Sequence, residues 1–155
     1  MKGYYKEPEI TKEVITPEGW FKTGDLGTFG KDGYLYIRGR LKNIIIGASG
    51  ENIYPEEIES VINNYPYVLE SLVVHKKGRL VALVHFNMEE LQSKYDELIE
   101  KGSYQAEQKL NEVLIELQYY INQNVNKFSQ VQLVLVQPEP FEKTATQKIK
   151  RFLYS

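Results

Sequence analysis

The sequence contains no cysteine and only two histidines, which narrows the chemistry that it can carry. Without cysteine it can form neither a disulfide nor a thiolate metal site, although this does not by itself identify the compartment. His75 and His85 fall in the two arms of one predicted hairpin and could face each other. Two histidines with no carboxylate or thiolate beside them make a poor metal site. The sequence therefore predicts no metal centre, and no serine, histidine and aspartate are spaced to suggest a catalytic triad.

Long apolar runs and an excess of one charge are also missing. The 155 residues include 19 Lys and Arg against 21 Asp and Glu, so the formal net charge is -2. Such a chain has no strong field to attract nucleic acid or an anionic membrane. No run approaches the roughly 20 apolar residues that a membrane span needs, and the first residues contain no apolar signal region. We therefore expect a cytoplasmic protein, with peripheral membrane association left open.

Glycine, by contrast, is concentrated in one stretch. Trp20 to Pro55 holds more than a third of the glycines in the chain, and Asp25 and Arg40 each follow one of them directly. Glycine lets the backbone take positive φ and approach a ligand closely. Spacing alone leaves two interpretations open, a β-meander without a ligand and a set of ligand-binding turns.

Periodicity divides the chain into a β-rich first part and a mixed second part. In the first part we predict a short helix near Thr11 to Val14 with Thr11 as its N-cap. A hairpin should follow, with its turn at Gly30–Gly33. The β pattern is interrupted at Gly39 to Asn43. We therefore place residues 1–41 and residues 42–155 in different domains.

The second part is predicted as a small α+β domain, a β-sheet with three helices packed on it. Pro55 suits the first turn of a helix, and apolar residues at helical spacing follow it. The predicted helices cover about 55–65, 87–99 and 103–125, and the predicted strands are Leu69 to His75, Leu80 to Phe86 and Val131 to Val136. Pro138 and Pro140 break regular structure, and the basic residues after them indicate a loose polar tail.

Residue type alone does not decide between two possible roles for each candidate site residue. Asp25 can accept two hydrogen bonds from a ribose diol, or it can close a turn on its own backbone. Arg40 can bind nucleotide oxygens with its fork of donors, or it can be a solvated surface residue. Lys148 is one of four cations in the terminal segment and could be an ordinary tail lysine.

Five segments, taken in order, resemble the acyl-adenylate-forming enzymes, which include acyl-CoA synthetases, luciferases and peptide-synthetase adenylation domains. The segments are Gly3 to Thr11, Trp20 to Leu26, Asp32 to Arg40, Ser49 to Glu59, and Phe141 to Arg151. The run Gly-Glu-Asn-Ile-Tyr-Pro-Glu-Glu-Ile-Glu and the ending Lys-Ile-Lys-Arg are most similar to long-chain fatty-acid–CoA ligases. The region from His75 to Val131 carries no signature of the family.

The resemblance implies a role for five residues. Asp25 would hold the ribose hydroxyls of ATP or AMP, and Arg40 would contact the same nucleotide. Lys42 would be the hinge about which the C-terminal domain rotates between two half-reactions. Gly50 would lie beside the CoA channel. Lys148 would be catalytic, because it would reach the carboxylate and the α-phosphate during adenylation.

The resemblance also implies that the chain is a C-terminal fragment. The family's phosphate loop and acyl pocket are not among these residues, so ATP, CoA and Mg²⁺ would act in a longer parent enzyme, with fatty acid as the other substrate. Its missing partner would be the N-terminal domain, which leaves residues 1–41 as strands without their neighbours. We expect the fragment alone to be inactive and to hold no cofactor tightly. The alternative is a stand-alone nucleotide-sensing or protein-interaction domain with the same fold.

Two positions depart from the family pattern. Gln147 stands where the terminal loop often has a glycine before its lysine. Asn52 stands where some relatives have an arginine, which weakens the expectation of a phosphate contact there.

Overall fold

The computed structural model describes residues 1–91, 93 and 103–155, with the side chains of 103–107 excepted. Contacts within the chain separate two units, Met1–Asn43 and Ile44–Ser155. The functional boundary that we predicted after residue 41 stays a prediction. Most of the predicted second helix, including Tyr95, Leu98, Ile99 and its end at Gly102, lies outside the described residues.

The first unit is a short helix followed by a two-stranded hairpin. Helix α1 (Pro8–Val14) has proline at its start, where a missing N–H costs nothing. Thr11 therefore lies inside the helix, and its hydroxyl donates to the Glu7 carbonyl at 2.7 Å. The prediction of Thr11 as the N-cap was wrong, because the proline sets an earlier start.

Strands β1 (Asp25–Phe29) and β2 (Leu35–Arg40) form the predicted antiparallel hairpin. Its turn is closed by the Gly30 N–H, which donates to the Tyr34 carbonyl at 2.8 Å. The expected interruption at Gly39 was wrong by two residues. A register shift between Leu26 and Gly27 absorbs an extra residue in the partner strand, so pairing continues to Arg40.

The second unit opens with a small hairpin and a helix. Strands β3 (Ile45–Ile46) and β4 (Asn52–Ile53) pair antiparallel, and the Gly47 N–H donates to the Glu51 carbonyl at 2.8 Å. Helix α2 (Pro55–Ile62) again has proline in its first turn, as the sequence predicted. The helix is capped at Asn63, so it stops before Pro66, where we had expected its end.

Three strands form the main sheet, in the order β5 (Val68–Lys76), β6 (Arg79–Phe86), β7 (Leu133–Val136). Lys77 and Gly78 join β5 to β6 with φ angles of 50° and 76°, as a two-residue hairpin turn with primed geometry requires. Strand β7 runs parallel to β6. A parallel neighbour needs a long crossover, and the chain between them includes helix α3 (Ser103–Asn124).

The sheet register separates the two histidines. His75 pairs with Leu80, whereas His85 pairs with Glu70 near the other end of the hairpin. The Nδ1 atom of His85 lies 2.9 Å from the carbonyl oxygen of Gln137. The expectation that the histidines could face each other was therefore wrong, because the two-residue turn at Lys77 and Gly78 fixes the register and pairs His75 with Leu80.

Alternating side chains give the sheet two buried faces. One face packs against α2 and α3, with a core that includes Ile58, Val73, Ala82, Leu117 and Ile121. The opposite face is formed by the residues between these in the strands, Leu72, Val74, Val81 and Leu83.

The terminal segment covers this second face of the sheet. Phe141 is buried there, with only 3% of its surface exposed, and Ile149 and Tyr154 pack beside it. The predicted loose tail was therefore wrong, because three apolar side chains among its basic residues anchor it. The second unit is an α+β domain, as expected. Within the described part of the chain, no helix is long and apolar enough to cross a membrane.

Candidate functional site

Asp25 and Arg40 lie opposite each other where β1 begins and β2 ends. The Nε atom of Arg40 is 2.9 Å from Oδ1 of Asp25, and Nη1 of Arg40 donates to the Thr23 carbonyl at 3.1 Å. The side chain of Arg40 is 41% exposed and that of Asp25 is 34% exposed. The arrangement presents a carboxylate and a guanidinium side by side at the surface, so both functional groups can be reached by a polar ligand.

The turn before β1 fixes the backbone of Asp25. Gly24 has a φ of +75°, which glycine adopts at little cost. The Asp25 N–H donates to the Thr23 hydroxyl oxygen at 3.1 Å, and the Leu41 N–H donates to the Gly24 carbonyl at 2.9 Å. The threonine, glycine and aspartate of this turn therefore have distinct structural roles, and the carboxylate is left to face Arg40.

Lys42 and Gly50 lie in connecting segments. Lys42 is exposed in a short 3₁₀ turn, Leu41–Asn43, at the end of the first unit. Gly50 has a φ of +85° in the β3–β4 loop, and no other described residue beyond its two chain neighbours has an atom within 4 Å of the place where a Cβ would project. The loop surface at Gly50 is therefore open, and the conformation there favours glycine.

The terminal segment forms a tight hairpin that carries Lys148. Lys143 and Ile149 form an antiparallel bridge. The Thr144 N–H donates to the Lys148 carbonyl at 2.8 Å, and the Lys148 N–H donates to the Thr144 hydroxyl oxygen at 3.2 Å. Gln147 takes a φ of +61°. This left-handed conformation gives a physical reason for the glycine that is common at this position in the family.

The four cations of this segment have different surroundings. Lys143 pairs with Glu70, Lys150 pairs with Glu142, and Arg151 pairs with Glu59 and, at 3.8 Å, with Glu56. Lys148 is exposed, and no residue in the described ranges forms an ion pair with it. The hairpin thus presents one unpaired ammonium group while the neighbouring charges are neutralised.

Glu59 is the most constrained of the acidic partners. Its Oε1 accepts a hydrogen bond from the Val73 N–H at 2.7 Å, and its Oε2 accepts from Arg151. Burial raises the pKa of the Glu59 carboxyl above its ordinary value, although the charge of Arg151 opposes the shift. The helix, the sheet and the terminal segment therefore meet at one buried carboxylate.

Sequence reasoning missed Glu59 and Glu70 as partners of the terminal segment. Glu59 is one of several acidic residues at the start of α2, and its neighbour Ile58 occupies the predicted apolar stripe. Arg151 lies 92 residues further along the chain. Periodicity describes which face of a helix is buried, but it cannot pair side chains over such a separation.

No family model matches the sequence, whereas parts of several CoA ligases are similar to it. The chain is 53% identical over 74 residues to a sulfoacetate–CoA ligase of Cupriavidus necator. This alignment covers 48% of the chain and 14% of that enzyme. It is also 36% identical over 148 residues to long-chain-fatty-acid–CoA ligase 5 of Mus musculus. This second alignment covers 91% of the chain and 22% of that enzyme.

Solved structures show the same relationship. The o-succinylbenzoate–CoA synthetase of Bacillus subtilis, solved with AMP, matches 99% of this chain with a TM-score of 0.74 and 27% identity. The match covers 27% of that enzyme, so the chain spans about a quarter of its length. The chain is similar in sequence and in fold to the C-terminal part of acyl-adenylate-forming enzymes.

Proposed function

We propose that this chain is the C-terminal part of an AMP-forming acid–thiol ligase that joins a fatty acid to CoA. The observation that carries the proposal is the terminal hairpin, where Lys148 is exposed and unpaired among the described residues while Lys143, Lys150 and Arg151 are each neutralised. A reaction that gathers negative charge needs a cation that is free to meet it. The family relationship supports this ligase over a stand-alone sensing or interaction domain.

The proposed reaction has two steps. In the first, a carboxylate oxygen of the fatty acid attacks the α-phosphorus of ATP, and the bond from that phosphorus to pyrophosphate breaks. In the second, the CoA sulfur attacks the acyl carbon, AMP leaves, and the thiol proton is released. Lys148 would act in the first step, because negative charge develops there on the attacking and bridging oxygens.

The other candidate residues would bind and move the substrates. Asp25 would accept hydrogen bonds from the ribose hydroxyls, and Arg40 beside it would bind another oxygen of the same nucleotide. Lys42 would change its backbone conformation between the two steps. Gly50 would let the backbone approach the pantetheine arm, because glycine has no side chain to stand between them.

The first unit supports the proposal of a missing N-terminal domain. Trp20 and Phe29 expose 75% and 79% of their surfaces, and Tyr34 exposes 70%. Large apolar side chains exposed in so small a unit indicate a surface that another structure covers. In the parent enzyme that structure would be the N-terminal domain, which would also supply the phosphate loop and the acyl pocket.

The long-chain acid is the more specific part of the proposal. One relative is named for long-chain fatty acids and another for sulfoacetate, so relatives differ in the acids they activate. Mg²⁺ would accompany ATP in the parent enzyme. The described residues contain no group of three or more His, Cys, Asp or Glu side chains that could hold a metal ion.

The test is ATP–pyrophosphate exchange with sulfoacetate and with a panel of acids from acetate to palmitate. The full-length enzyme that contains this chain should exchange with fatty acids and, when CoA is added, release AMP and the acyl-CoA. This chain alone should give no exchange. Exchange by the isolated chain would contradict its assignment as a fragment, and exchange only with short or sulfonated acids would overturn the long-chain proposal.

A further inference from the structure

The hairpin that carries Lys148 is attached to the rest of its unit at both ends, through Lys143 and Arg151. On one side Lys143 pairs with Glu70 of β5. On the other side Arg151 pairs with Glu59 of α2, and its Nη1 also donates to the Val73 carbonyl at 3.4 Å. Arg151 therefore links the terminal segment to a helix and to a strand with a single side chain.

Only two residues separate Lys148 from Arg151, and the backbone between them is held by hydrogen bonds. The Lys150 N–H donates to the Glu142 carbonyl at 2.8 Å, and the Arg151 N–H donates to the Ile149 carbonyl at 3.0 Å. A change in the position of Arg151 would therefore be transmitted directly to Lys148. The contacts of the hairpin with itself would not prevent this, because they would move with it.

The partners of Arg151 are themselves held rigidly, so they can fix its position. Glu59 is almost buried, its second carboxylate oxygen is bonded to the Val73 N–H, and its backbone lies in α2 against the core. Arg151 itself is only 25% exposed. A planar guanidinium can bond the carboxylate and the carbonyl at the same time, which a lysine ammonium on a flexible stem does less well.

We propose that Arg151, held by Glu59, is a positioning residue for adenylation, which fixes the base of the terminal hairpin so that Lys148 reaches the reacting phosphate. The inference rests on the proposed function of Lys148. Arg151 does not touch the substrate in this scheme, and it acts through the placement of its neighbour. Small misplacements of a reacting group can slow a reaction by about a hundredfold.

The main variant avoids leaving Glu59 charged and buried without Arg151. Arg151→Ala alone would leave Glu59 buried without its partner, which is strongly destabilising. The double variant Glu59→Gln, Arg151→Gln removes both charges, so neither Glu59 nor Arg151 is left charged without the other. Arg151→Lys is the conservative variant, and Lys150→Gln is the matched control because it breaks only an exposed ion pair.

Each variant is made in the full-length enzyme, and the two half-reactions are measured separately along with the thermal midpoint. The double variant should slow adenylation by about 10- to 100-fold while thioester formation from preformed acyl-AMP stays within about twofold. Arg151→Lys should fall between this variant and the wild type, and Lys150→Gln should match the wild type.

Three outcomes would count against the inference. Equal loss in both half-reactions would make Arg151 merely structural, and an unchanged adenylation rate would remove any positioning role. Either result, obtained while Lys148→Ala abolishes adenylation, overturns the inference and leaves the proposed function standing. If Lys148→Ala adenylates at the wild-type rate, the proposed role of Lys148 fails and the inference fails with it.

Discussion

Arg40 and Asp25 are bonded to each other across the open end of the β1–β2 hairpin, with 2.9 Å between Nε and Oδ1. The two residues proposed to bind the nucleotide are therefore already paired, and a ribose would share the carboxylate with the guanidinium. This contact orients Asp25 before any ligand arrives. It is partly exposed, so it should add less than about 1 kcal/mol to stability.

We expect Asp25→Ala in the full-length enzyme to weaken AMP binding by about a hundredfold or more. Hydrogen bonds to a charged group contribute roughly 1.5–3 kcal/mol, and the variant would lose two of them. The dissociation constant of AMP can be measured by titration calorimetry, with urea unfolding to check stability. Asp25→Asn is the control that keeps the shape of the turn. An unchanged AMP affinity in the alanine variant would limit Asp25 to its ion pair with Arg40.

Lys42→Pro should spare adenylation and slow thioester formation. Proline fixes φ near -65° and removes an N–H donor, so a residue that must change its dihedral angles between steps would be locked. Lys42 is exposed in its 3₁₀ turn, so loss of the side chain alone should matter little. Single-turnover assays of the two half-reactions measure the effect, with Lys42→Ala as the control. Equal loss in both steps would argue that Lys42 is structural and not a hinge.

Gln147→Gly should leave the stability of the domain unchanged or slightly higher. Gln147 holds a φ of +61°, which costs a residue with a side chain roughly 1–2 kcal/mol. Glycine removes that cost, although its freedom in the unfolded chain returns part of the gain. Gln147→Val should destabilise by about 1 kcal/mol or more, because a β-branched residue tolerates positive φ poorly. Urea unfolding compares the two, and similar stabilities would contradict the strained geometry.

Local signals predicted the elements of this fold well. The start of α2 at Pro55, the β5–β6 hairpin and the helix α3 are each set by residues close together in the chain. Their outcomes follow from local sterics and from the period of the apolar positions. The two errors at element boundaries also have local causes. Pro8 starts α1 before Thr11, and the register shift at Leu26 and Gly27 lets the strand pairing continue past Gly39.

The site was harder to predict because it depends on long-range pairing. The sequence shows four cations at the end of the chain but cannot tell which of them are neutralised. Glu59 and Glu70, which pair with two of them, lie on α2 and β5. Phe141 gave a local hint that the tail packs, yet the basic residues around it suggested a solvated loop. Only the packed sheet brings these partners together.

Lys148→Ala in the full-length enzyme should abolish most adenylation and spare thioester formation from preformed acyl-AMP. A positioned charge at developing negative oxygens contributes roughly 3–4 kcal/mol, which corresponds to about a thousandfold in rate. The second step should be spared if domain rotation carries Lys148 away before CoA attacks. Both half-reactions are measured by rapid quench.

Lys150→Ala is the matched control for this variant, since Lys150 is two residues away and its ion pair with Glu142 is largely exposed. Breaking such a pair should cost less than about 1 kcal/mol of stability and little activity. Lys143→Ala is a poorer control, because Lys143 also anchors the hairpin to Glu70. Lys148 is exposed, so its loss should leave the thermal midpoint almost unchanged while the rate falls. If Lys148→Ala and Lys150→Ala adenylate equally well, Lys148 has no special role in the reaction.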